Sequence, residues 1–124
     1  MSKPIIVQKF GGTSLADTAR INAVIPFILN EKAKGNNVLV IVSAMSGITN
    51  HLMSLCYELS TLKSADELAE CDVALCSGEM VSAALLALRL QQEGVKARSL
   101  LAWQIPLITD DNHSKAVIKS NLKR

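Results

Sequence analysis

A lysine, two glycines and two hydroxyl side chains follow an apolar run near the start of the sequence. The run is Ile5-Ile6-Val7, and the polar group is Lys9, Gly11, Gly12, Thr13 and Ser14. The apolar run predicts a short buried strand that ends near Phe10. Consecutive glycines let the backbone turn sharply and approach a ligand. A lysine, turn N–H groups and the start of a helix together favour an anion. The pattern predicts a phosphate site, although a glycine turn beside a solvated lysine is also common without a ligand.

A second polar segment follows the next apolar run. Residues 38–42 are all apolar, which predicts a central, parallel strand covered by helices. The segment after it, Ser43-Ala44-Met45-Ser46-Gly47-Ile48-Thr49-Asn50, is small and polar. Both polar segments follow the carboxyl ends of predicted strands, and ligands of open α/β sheets bind at that edge.

The remaining periodicity predicts an α/β layer protein in the order β-α-β-α-α-β. Helices are predicted over residues 17–34, 51–62, 64–76, 80–93 and 114–123, and strands over 5–10, 38–42 and 95–101, with a short strand within 102–108. Pro26 should kink or divide the first helix. Ser64 and Glu67 form a capping box. Ser77-Gly78-Glu79 should interrupt the long helical region, and the alanine-rich helix after it should be buried on most sides.

Apolar spacing also predicts which helical side chains face the core. In the first helix they are Ile21, Val24, Ile25, Ile28 and Leu29, and in the second Leu52, Leu55, Cys56 and Leu59. Trp103 is most simply a packing residue. Asp110 and Asp111 lie in a predicted turn, where Asp is favoured for its bonds to the backbone, so no metal ligand is predicted.

Composition limits the classes of function. The chain has 124 residues, 49% of them hydrophobic, with a net charge of +2 and no basic stripe, so we predict a globular protein that binds no nucleic acid. No apolar run approaches transmembrane length, and no membrane is predicted. The three cysteines are odd in number, which favours buried free thiols in a reducing cytoplasm.

Common nucleotide-binding and metal-binding motifs are absent from the sequence. No glycine is followed directly by lysine, and the six glycines do not form G-x-G-x-x-G, so a P-loop and a dinucleotide-binding turn are not predicted. His51 and His113 do not have metal-ligand spacing, and surface or capping positions are the simpler interpretation.

Five segments in order resemble the aspartate kinases. They are Lys9-Phe10-Gly11-Gly12-Thr13-Ser14, Val42-Ser43-Ala44-Met45-Ser46-Gly47-Ile48-Thr49-Asn50, Ser77-Gly78-Glu79, Ala97-Arg98-Ser99-Leu100 and Ile108-Thr109-Asp110-Asp111-Asn112-His113. The wider resemblance is to the amino acid kinases. It implies a three-layer α/β/α sandwich with a mainly parallel sheet, incomplete in these residues. The implied reaction transfers phosphoryl from ATP to the side chain of L-aspartate, giving 4-phospho-L-aspartate for the lysine, threonine and methionine pathway.

The resemblance also implies residue roles. Lys9 would offset charge on the moving phosphoryl group, as the catalytic residue. Gly11, Gly12, Ser14 and Ser43 would contact phosphates. Thr49 would hydrogen-bond the amino acid and Glu79 would pair with its ammonium group. Without the resemblance, Thr49 and Asn50 could equally cap a helix, and Glu79 could be a first-turn glutamate.

Residues 1–124 are expected to be the N-terminal part of a catalytic domain. The nucleotide-binding C-terminal part and the regulatory ACT domains of the family have no counterpart here, and Mg²⁺ would arrive with the nucleotide rather than through a protein ligand. A homo-oligomer is implied for the full-length form. Two functions therefore remain open: the acceptor side of an aspartate kinase, or a non-catalytic module that binds aspartate or a partner.

Overall fold

Two parallel strands lead to the predicted site. The computed structural model describes residues 2–105 and 107–120, and in it β1 (Ile5–Phe10) pairs with β2 (Asn37–Val42). The register runs from Ile5 opposite Asn37 to Phe10 opposite Val42. The connection between them is a single helix, α1 (Thr18–Ala33). The parallel pairing predicted from the apolar second strand is confirmed.

The described helices cover only one face of this sheet. Alternate residues, including Phe10, Val38 and Val40, pack on the core formed by α1 and the long helix α3. Side chains of the opposite face are exposed, with Ile5 at 68% and Val7 at 60%. Parallel sheets normally bury both faces. The α/β class is therefore confirmed, and the described residues supply the sheet and one helical layer of the expected three-layer sandwich.

Helix α1 follows its predicted pattern closely. The Asp17 side chain caps it by accepting a 2.8 Å hydrogen bond from the Arg20 N–H. Four predicted core residues are buried on one face, and Leu29 is half-buried. Pro26 does not divide the helix. Proline removes the hydrogen bond to the carbonyl four residues earlier, and that residue, Asn22, is exposed, so water can replace the missing donor.

Helix α3 (Ala65–Gln92) is continuous over 28 residues, so the predicted interruption at residues 77–79 is wrong. Its buried positions form a single stripe: Cys71, Gly78, Ser82, Leu86 and Leu90. Many side chains off this stripe are exposed, such as Val73 and Leu88 at 64% and 59%, whereas others, such as Ala83 and Leu85, are half-buried. The prediction that the alanine-rich part is buried on most sides is therefore also wrong for the described residues.

By length and composition alone, α3 is long and apolar enough to cross a membrane. An 18-residue window of this helix has a mean hydropathy of 1.6, and 22% of it is buried. This overturns the expectation that no apolar run approaches such a length. Core helices of soluble proteins meet the same criteria, and the buried stripe of α3 joins the α1 core. We interpret α3 as a core helix.

Helix α2 (Ile48–Leu59) packs against α3 through part of its predicted face. Leu52 and Cys56 are half-buried, but Leu55 and Leu59 are 42% and 89% exposed, contrary to the prediction. Both leucines lie in the later turns of α2, where the described residues leave them exposed.

The predicted cap of α3 is present in a shifted form. The Ser64 hydroxyl accepts a 3.2 Å hydrogen bond from the Glu67 N–H. The Glu67 carboxylate accepts from the Lys63 N–H at 2.9 Å and from the Ser60 hydroxyl at 2.8 Å. These bonds hold the pKa of Glu67 below its usual range, the Lys63 bond having the largest effect. The reciprocal bond of the capping box is therefore made by Lys63, the residue before Ser64.

The segments after α3 differ most from the predictions. Residues 95–101 form no strand, because no described strand lies beside them to supply hydrogen bonds. The predicted alternation is still visible, since Val95 and Ala97 are half-buried while Lys96 and Arg98 are exposed.

A short antiparallel pair follows instead of the last predicted helix. β3 (Ile108–Thr109) pairs with β4 (Ile118–Ser120), where a helix over residues 114–123 was predicted. The Asp110 carboxylate accepts hydrogen bonds from the N–H groups of Asn112 and Val117, which closes the turn. Residues 121–123 of that prediction, and Pro106 of the preceding segment, lie outside the described residues.

Candidate active site

Three segments of the chain line one cavity at the carboxyl ends of β1 and β2. Its volume is about 320 Å³, and its lining residues are Gly12, Thr13, Ser43, Ala44, Met45, Ser46, Gly47, Thr49, Asn50 and Glu79. The first two follow β1, the next seven follow β2 and open α2, and Glu79 comes from α3. The edge of the sheet predicted to bind a ligand is thus the place where a cavity forms.

Glycine 47 sets the start of α2. It adopts the left-handed conformation, with φ of +82°, and occupies the N-cap position. The helix begins at Ile48, so Thr49 and Asn50 are its second and third residues, and the interpretation of them as caps is wrong. The first turn of a helix leaves N–H groups without partners in the helix. Both side chains line the cavity at this end.

The inner wall of the cavity is closely packed around Ala44, which is 4% exposed. A Cβ atom added to Gly12 would lie 3.2 Å from the Ala44 carbonyl oxygen. A Cβ atom added to Gly78 would lie 3.0 Å from the Ala44 Cβ and 3.1 Å from Ile48 Cγ2. Gly12 has an ordinary φ of −60°, so its glycine is needed for space rather than for an unusual backbone angle.

Glu79 is the one ionisable side chain among the residues that line the cavity. It is exposed on α3, fourteen positions after the first residue of that helix, so it is not the first-turn glutamate that was considered. Within residues 2–105 and 107–120, none of the ion pairs involves Glu79. An exposed carboxylate beside a hydroxyl, an amide and a helix N-terminus can accept an ammonium group while the other groups bind a carboxylate.

Four predicted site residues line this cavity, and three do not. Gly12, Ser43, Thr49 and Glu79 come together, whereas Lys9, Gly11 and Ser14 are absent from the lining. Lys9 is on the uncovered face of the sheet, the same face as Ile5 and Val7, which are four and two residues earlier in β1. Gly11 has open space around it, and Ser14 is half-buried. The described residues therefore assemble the predicted amino acid side of the site more completely than its phosphate side.

The residues directly after the glycine turn form a single 3₁₀ turn, Thr13–Leu15. The α-helix starts three residues later, at Thr18. A turn this short has few aligned peptide dipoles, so it adds little to the positive charge expected at the glycine turn. Any attraction for phosphate at this turn must come from individual N–H groups and from Lys9.

Sequence reasoning missed Ser82, whose side chain is fully buried on α3. Its hydroxyl donates a 2.7 Å hydrogen bond to the carbonyl oxygen of Ser43, in the segment after β2. One signal could have found it: Ser82 lies four residues after Gly78, on the same face of an otherwise apolar helix.

A larger concavity lies away from these residues. It measures about 500 Å³ and is lined by Gln91 and residues 94–98. Its polar side chains are Gln91, which donates to the Ala97 carbonyl at 2.9 Å, and two exposed cations, Lys96 and Arg98, in a segment without strand partners. We favour the smaller cavity as the site because its side chains converge from three segments and differ in chemical role.

The other candidate polar residues have structural surroundings. His51 and His113 are exposed, and His113 Nδ1 lies 3.5 Å from Asp72 Oδ2. Hydrogen bonds from Val117 and then Asn112 hold the pKa of Asp110 below its usual range, as expected for a turn residue. Trp103 is 67% exposed, so the prediction that it packs in the core is wrong for the described residues.

The cysteines follow their predicted placement in helices, but not all are buried. Cys71 is buried, Cys56 is half-buried and Cys76 is exposed. The Cys71 thiol lies 3.7 Å from the Met53 sulfur, and burial, together with the neighbouring Cys56, raises the pKa of Cys71.

Comparisons with known proteins point to one family. The model of the "Amino acid kinase family" matches residues 4–124. An aspartokinase of Rickettsia conorii is 59% identical over 116 residues, which is 94% of this chain and 29% of that relative. An aspartokinase of Geobacillus stearothermophilus is 45% identical over 114 residues, which is 92% of this chain and 27% of the relative.

Solved aspartate kinases share the fold. The crystal structure of the Synechocystis enzyme superposes with a TM-score of 0.66 at 42% identity, over 73% of this chain and 15% of that one. Aspartokinase III of E. coli, in complex with aspartate and ADP, superposes with a TM-score of 0.75 over 94% of this chain and 35% of its own. At 24% identity the second likeness concerns the fold.

The chain spans less than a third of the length of these curated relatives. The match of the family model nevertheless covers almost all of its residues, including the strands, the glycine turn and the cavity. The protein therefore belongs to the amino acid kinase family, with aspartokinases as its relatives.

Proposed function

We propose that this chain carries the acceptor side of an aspartate kinase, the side that binds L-aspartate and presents its side-chain carboxylate to ATP. One observation carries the proposal: Thr49 and Glu79, from different helices, share a cavity in which Glu79 is the one ionisable lining side chain. A zwitterionic amino acid needs both an anion for its ammonium group and donors for its α-carboxylate. The names of the relatives, aspartokinases, support the choice of amino acid.

The arrangement of the cavity suggests how aspartate lies in it. Its ammonium group pairs with the Glu79 carboxylate, and its α-carboxylate accepts hydrogen bonds from the Thr49 hydroxyl and the first-turn N–H groups of α2. Its side chain then points towards Gly12 and Ser43, which line the same cavity. An oxygen of that side chain attacks the γ-phosphorus of ATP, a new O–P bond forms, and the bond to the leaving ADP breaks.

The proposed phosphate contacts are Lys9, Gly11, Gly12, Ser14 and Ser43. Support differs among them, because Gly12 and Ser43 line the cavity whereas the other three do not. Lys9 lies near the end of β1, on the uncovered face of the sheet. There it would meet a nucleotide held by a further part of the domain. In such a reaction its ammonium group would offset the charge of the transferred phosphoryl group.

Magnesium would enter with the nucleotide. Within residues 2–105 and 107–120, no group of three or more His, Cys, Asp or Glu side chains could hold a metal ion. The single carboxylate of the cavity suits an ammonium group better than a divalent cation, which takes several oxygen ligands. We also propose a cytoplasmic location, supported by three free cysteines, and a homo-oligomer for a full-length form.

A second function is favoured by the same geometry. Thr49 and Glu79 line one cavity, whereas three of the five proposed phosphate contacts lie outside it. A module that binds aspartate or a partner without transferring phosphoryl fits these facts. The proposed domain division, with residues 1–124 as the N-terminal part of a catalytic domain, is common to both functions.

Direct binding tests the shared part of the proposal. L-Aspartate is titrated into the chain by calorimetry, with Glu79→Gln as the variant and Glu70→Gln as a control that removes a charge elsewhere on α3. A charge-assisted hydrogen bond contributes about 1.5–3 kcal/mol, so Glu79→Gln should raise the Kd about 10- to 100-fold. Succinate, which lacks the ammonium group, should bind the wild type and Glu79→Gln with similar Kd values.

The outcomes separate the alternatives. Equal aspartate binding by wild type and Glu79→Gln would remove Glu79 from the site. Absence of aspartate binding by the wild type would reject the acceptor-side proposal. Where aspartate binds, a coupled assay of ADP release distinguishes the enzyme, which turns over ATP in the presence of aspartate, from the non-catalytic module, which does not.

A further inference from the structure

Ser82 connects two walls of the cavity without being part of its lining. It lies on α3, one turn after Gly78 and Glu79, and its side chain is completely buried. Its hydroxyl donates to the Ser43 carbonyl at 2.7 Å, a bond across 39 positions of the sequence. The Glu79 and Gly78 carbonyls of its own helix lie further away, at 3.1 and 3.4 Å.

The bond to Ser43 is the shortest of the three, and it is the one that local helix structure does not explain. Serines in helices commonly bond a carbonyl three or four residues earlier, as Ser77 does with Ala74 at 2.7 Å. A hydroxyl has a single proton to donate. The 2.7 Å separation indicates that Ser82 donates this proton mainly to the loop after β2.

This loop and α3 each carry groups that line the cavity. Ser43 begins the segment that leads to Thr49, and Glu79 lies three residues before Ser82 on α3. The glycine contact between Gly78 and Ala44 brings the two walls close, but a packing contact alone fixes their sliding position weakly. A directional hydrogen bond fixes it more strongly.

We propose that Ser82 is a positioning residue, which sets the spacing between Glu79 and Thr49 by holding α3 to the Ser43 carbonyl. It does not touch the ligand. Its action on amino acid binding rests on the function proposed above, whereas its action on the loop does not. Loss of the hydroxyl would leave the Ser43 carbonyl, in a partly buried setting, without this donor.

The test compares two chemically identical changes on the same helix. Ser82→Ala removes the bond between the walls, and Ser77→Ala removes a hydroxyl that bonds only within α3. Leu90→Ala serves as a second control, because it opens the same buried stripe three turns of α3 beyond Glu79. Each protein is titrated with L-aspartate, and the Kd is calculated for the folded fraction.

Ser82→Ala should raise the aspartate Kd at least fivefold. Ser77→Ala and Leu90→Ala should stay within twofold of the wild type, even where Leu90→Ala lowers Tm by more. A Ser82→Ala Kd within twofold of the wild type, or an equal rise in Leu90→Ala, would overturn the proposal.

A spectroscopic measurement keeps the inference testable without a ligand. The Ser43 carbonyl and the Ala44 N–H belong to one peptide unit, so the Ala44 amide resonance reports on the bond. In ¹⁵N-labelled protein it should shift in Ser82→Ala and remain in place in Ser77→Ala, and an unshifted resonance would reject the bond. Should Ser82→Ala fail to fold, Ser82→Cys, with a weak S–H donor of similar size, should give an intermediate shift and Kd; a wild-type shift and Kd would reject the bond.

The two measurements together show whether a negative binding result rejects the proposed function or the role of Ser82. If the wild type does not bind aspartate, the proposed function fails, and the Ala44 shift still decides whether Ser82 holds the loop. If the wild type and Glu79→Gln behave as predicted but Ser82→Ala binds normally, the proposed function stands and the role of Ser82 is rejected.

Discussion

Gly78 on α3 lies so close to Ala44 that a methyl group at Gly78 would sit 3.0 Å from the Ala44 Cβ. The same methyl group would be 3.1 Å from Ile48 Cγ2, at the start of α2. Such distances are shorter than ordinary van der Waals contact. The absence of a side chain at Gly78 therefore lets α3 approach both the loop after β2 and the helix that carries Thr49.

Gly78→Ala should destabilise the protein. In an exposed helix interior, Gly to Ala gains about 1 kcal/mol, but crowding in a packed core costs about 1–3 kcal/mol. We expect a net loss of about 1 kcal/mol in the free energy of unfolding, measured by urea denaturation. Gly11→Ala is the control, because no atom lies within 4 Å of its added Cβ. Stabilisation by Gly78→Ala would show that α3 is loosely packed against Ala44 and Ile48 at this position.

Lys9→Ala should leave aspartate binding almost unchanged. Lys9 is exposed on the uncovered sheet face and does not line the cavity, and water and salt screen exposed charges. We expect a Kd for L-aspartate within twofold of the wild type. If the chain or a longer form releases ADP, the same change should abolish that turnover. A Kd increase above fivefold would mean that the ammonium group reaches the bound amino acid.

Leu86→Ala and Leu88→Ala should differ sharply although they are two residues apart. Leu86 is 3% exposed in the α1–α3 core, and Leu88 is 59% exposed. Truncating a buried leucine costs about 2–5 kcal/mol, whereas surface changes usually stay within about 0.5 kcal/mol. Urea denaturation of both variants measures the difference. Similar losses would mean that the exposed side of α3 is covered in solution, for example by a second copy.

The stability contributed by Glu67 should depend on pH. Its folded-state pKa is lowered, with the Lys63 N–H as the largest cause and the Ser60 hydroxyl next. A lowered carboxyl pKa gives stability that is complete above the ordinary value of 4.5 that holds in the unfolded chain, and that is lost as pH falls through the lower folded-state pKa. The wild type should therefore be more stable than Glu67→Gln at pH 7, and the gap should close as pH falls below about 5 and through the lowered folded-state pKa.

Chemical denaturation at several pH values gives this gap directly. Glu70→Gln removes a charge from the same helix without touching the bonds to Lys63 and Ser60, so its gap from the wild type should stay nearly constant with pH. A constant gap for Glu67→Gln as well would show that these bonds do not persist in solution.

Local sequence patterns predicted those parts of the fold that depend on residues close together in the sequence. The apolar stripe of α1 and the Asp17 start were sufficient, because periodicity and capping are local properties. Residues 95–101 show the limit: their alternation was predicted correctly, but a strand also needs a neighbouring strand, which the described residues do not provide. The helix expected from Ser114 failed because Asp110 and Val117 pair across a turn instead.

The candidate site was predictable to the same extent. Ser43 and Thr49 were expected at one edge of the sheet because strand ends meet there, and Glu79 was expected with them because of the resemblance to aspartate kinases; all three line one cavity. The direction of Lys9 was not predictable, because both faces of β1 are largely apolar in sequence and only the position of the helices distinguishes them. Ser82 was missed because its partner is 39 residues distant and lies in an irregular segment.

The crowding around Ala44 divides the cavity into a part that resists mutation and a part that tolerates it. Substitution at Gly12 or Gly78 would crowd Ala44, whereas Ser46, Thr49 and Asn50 are exposed and form the rim of the cavity. Selection for a different amino acid would therefore act first on the rim. A library of variants confined to those three positions should change which amino acid is preferred while preserving the fold.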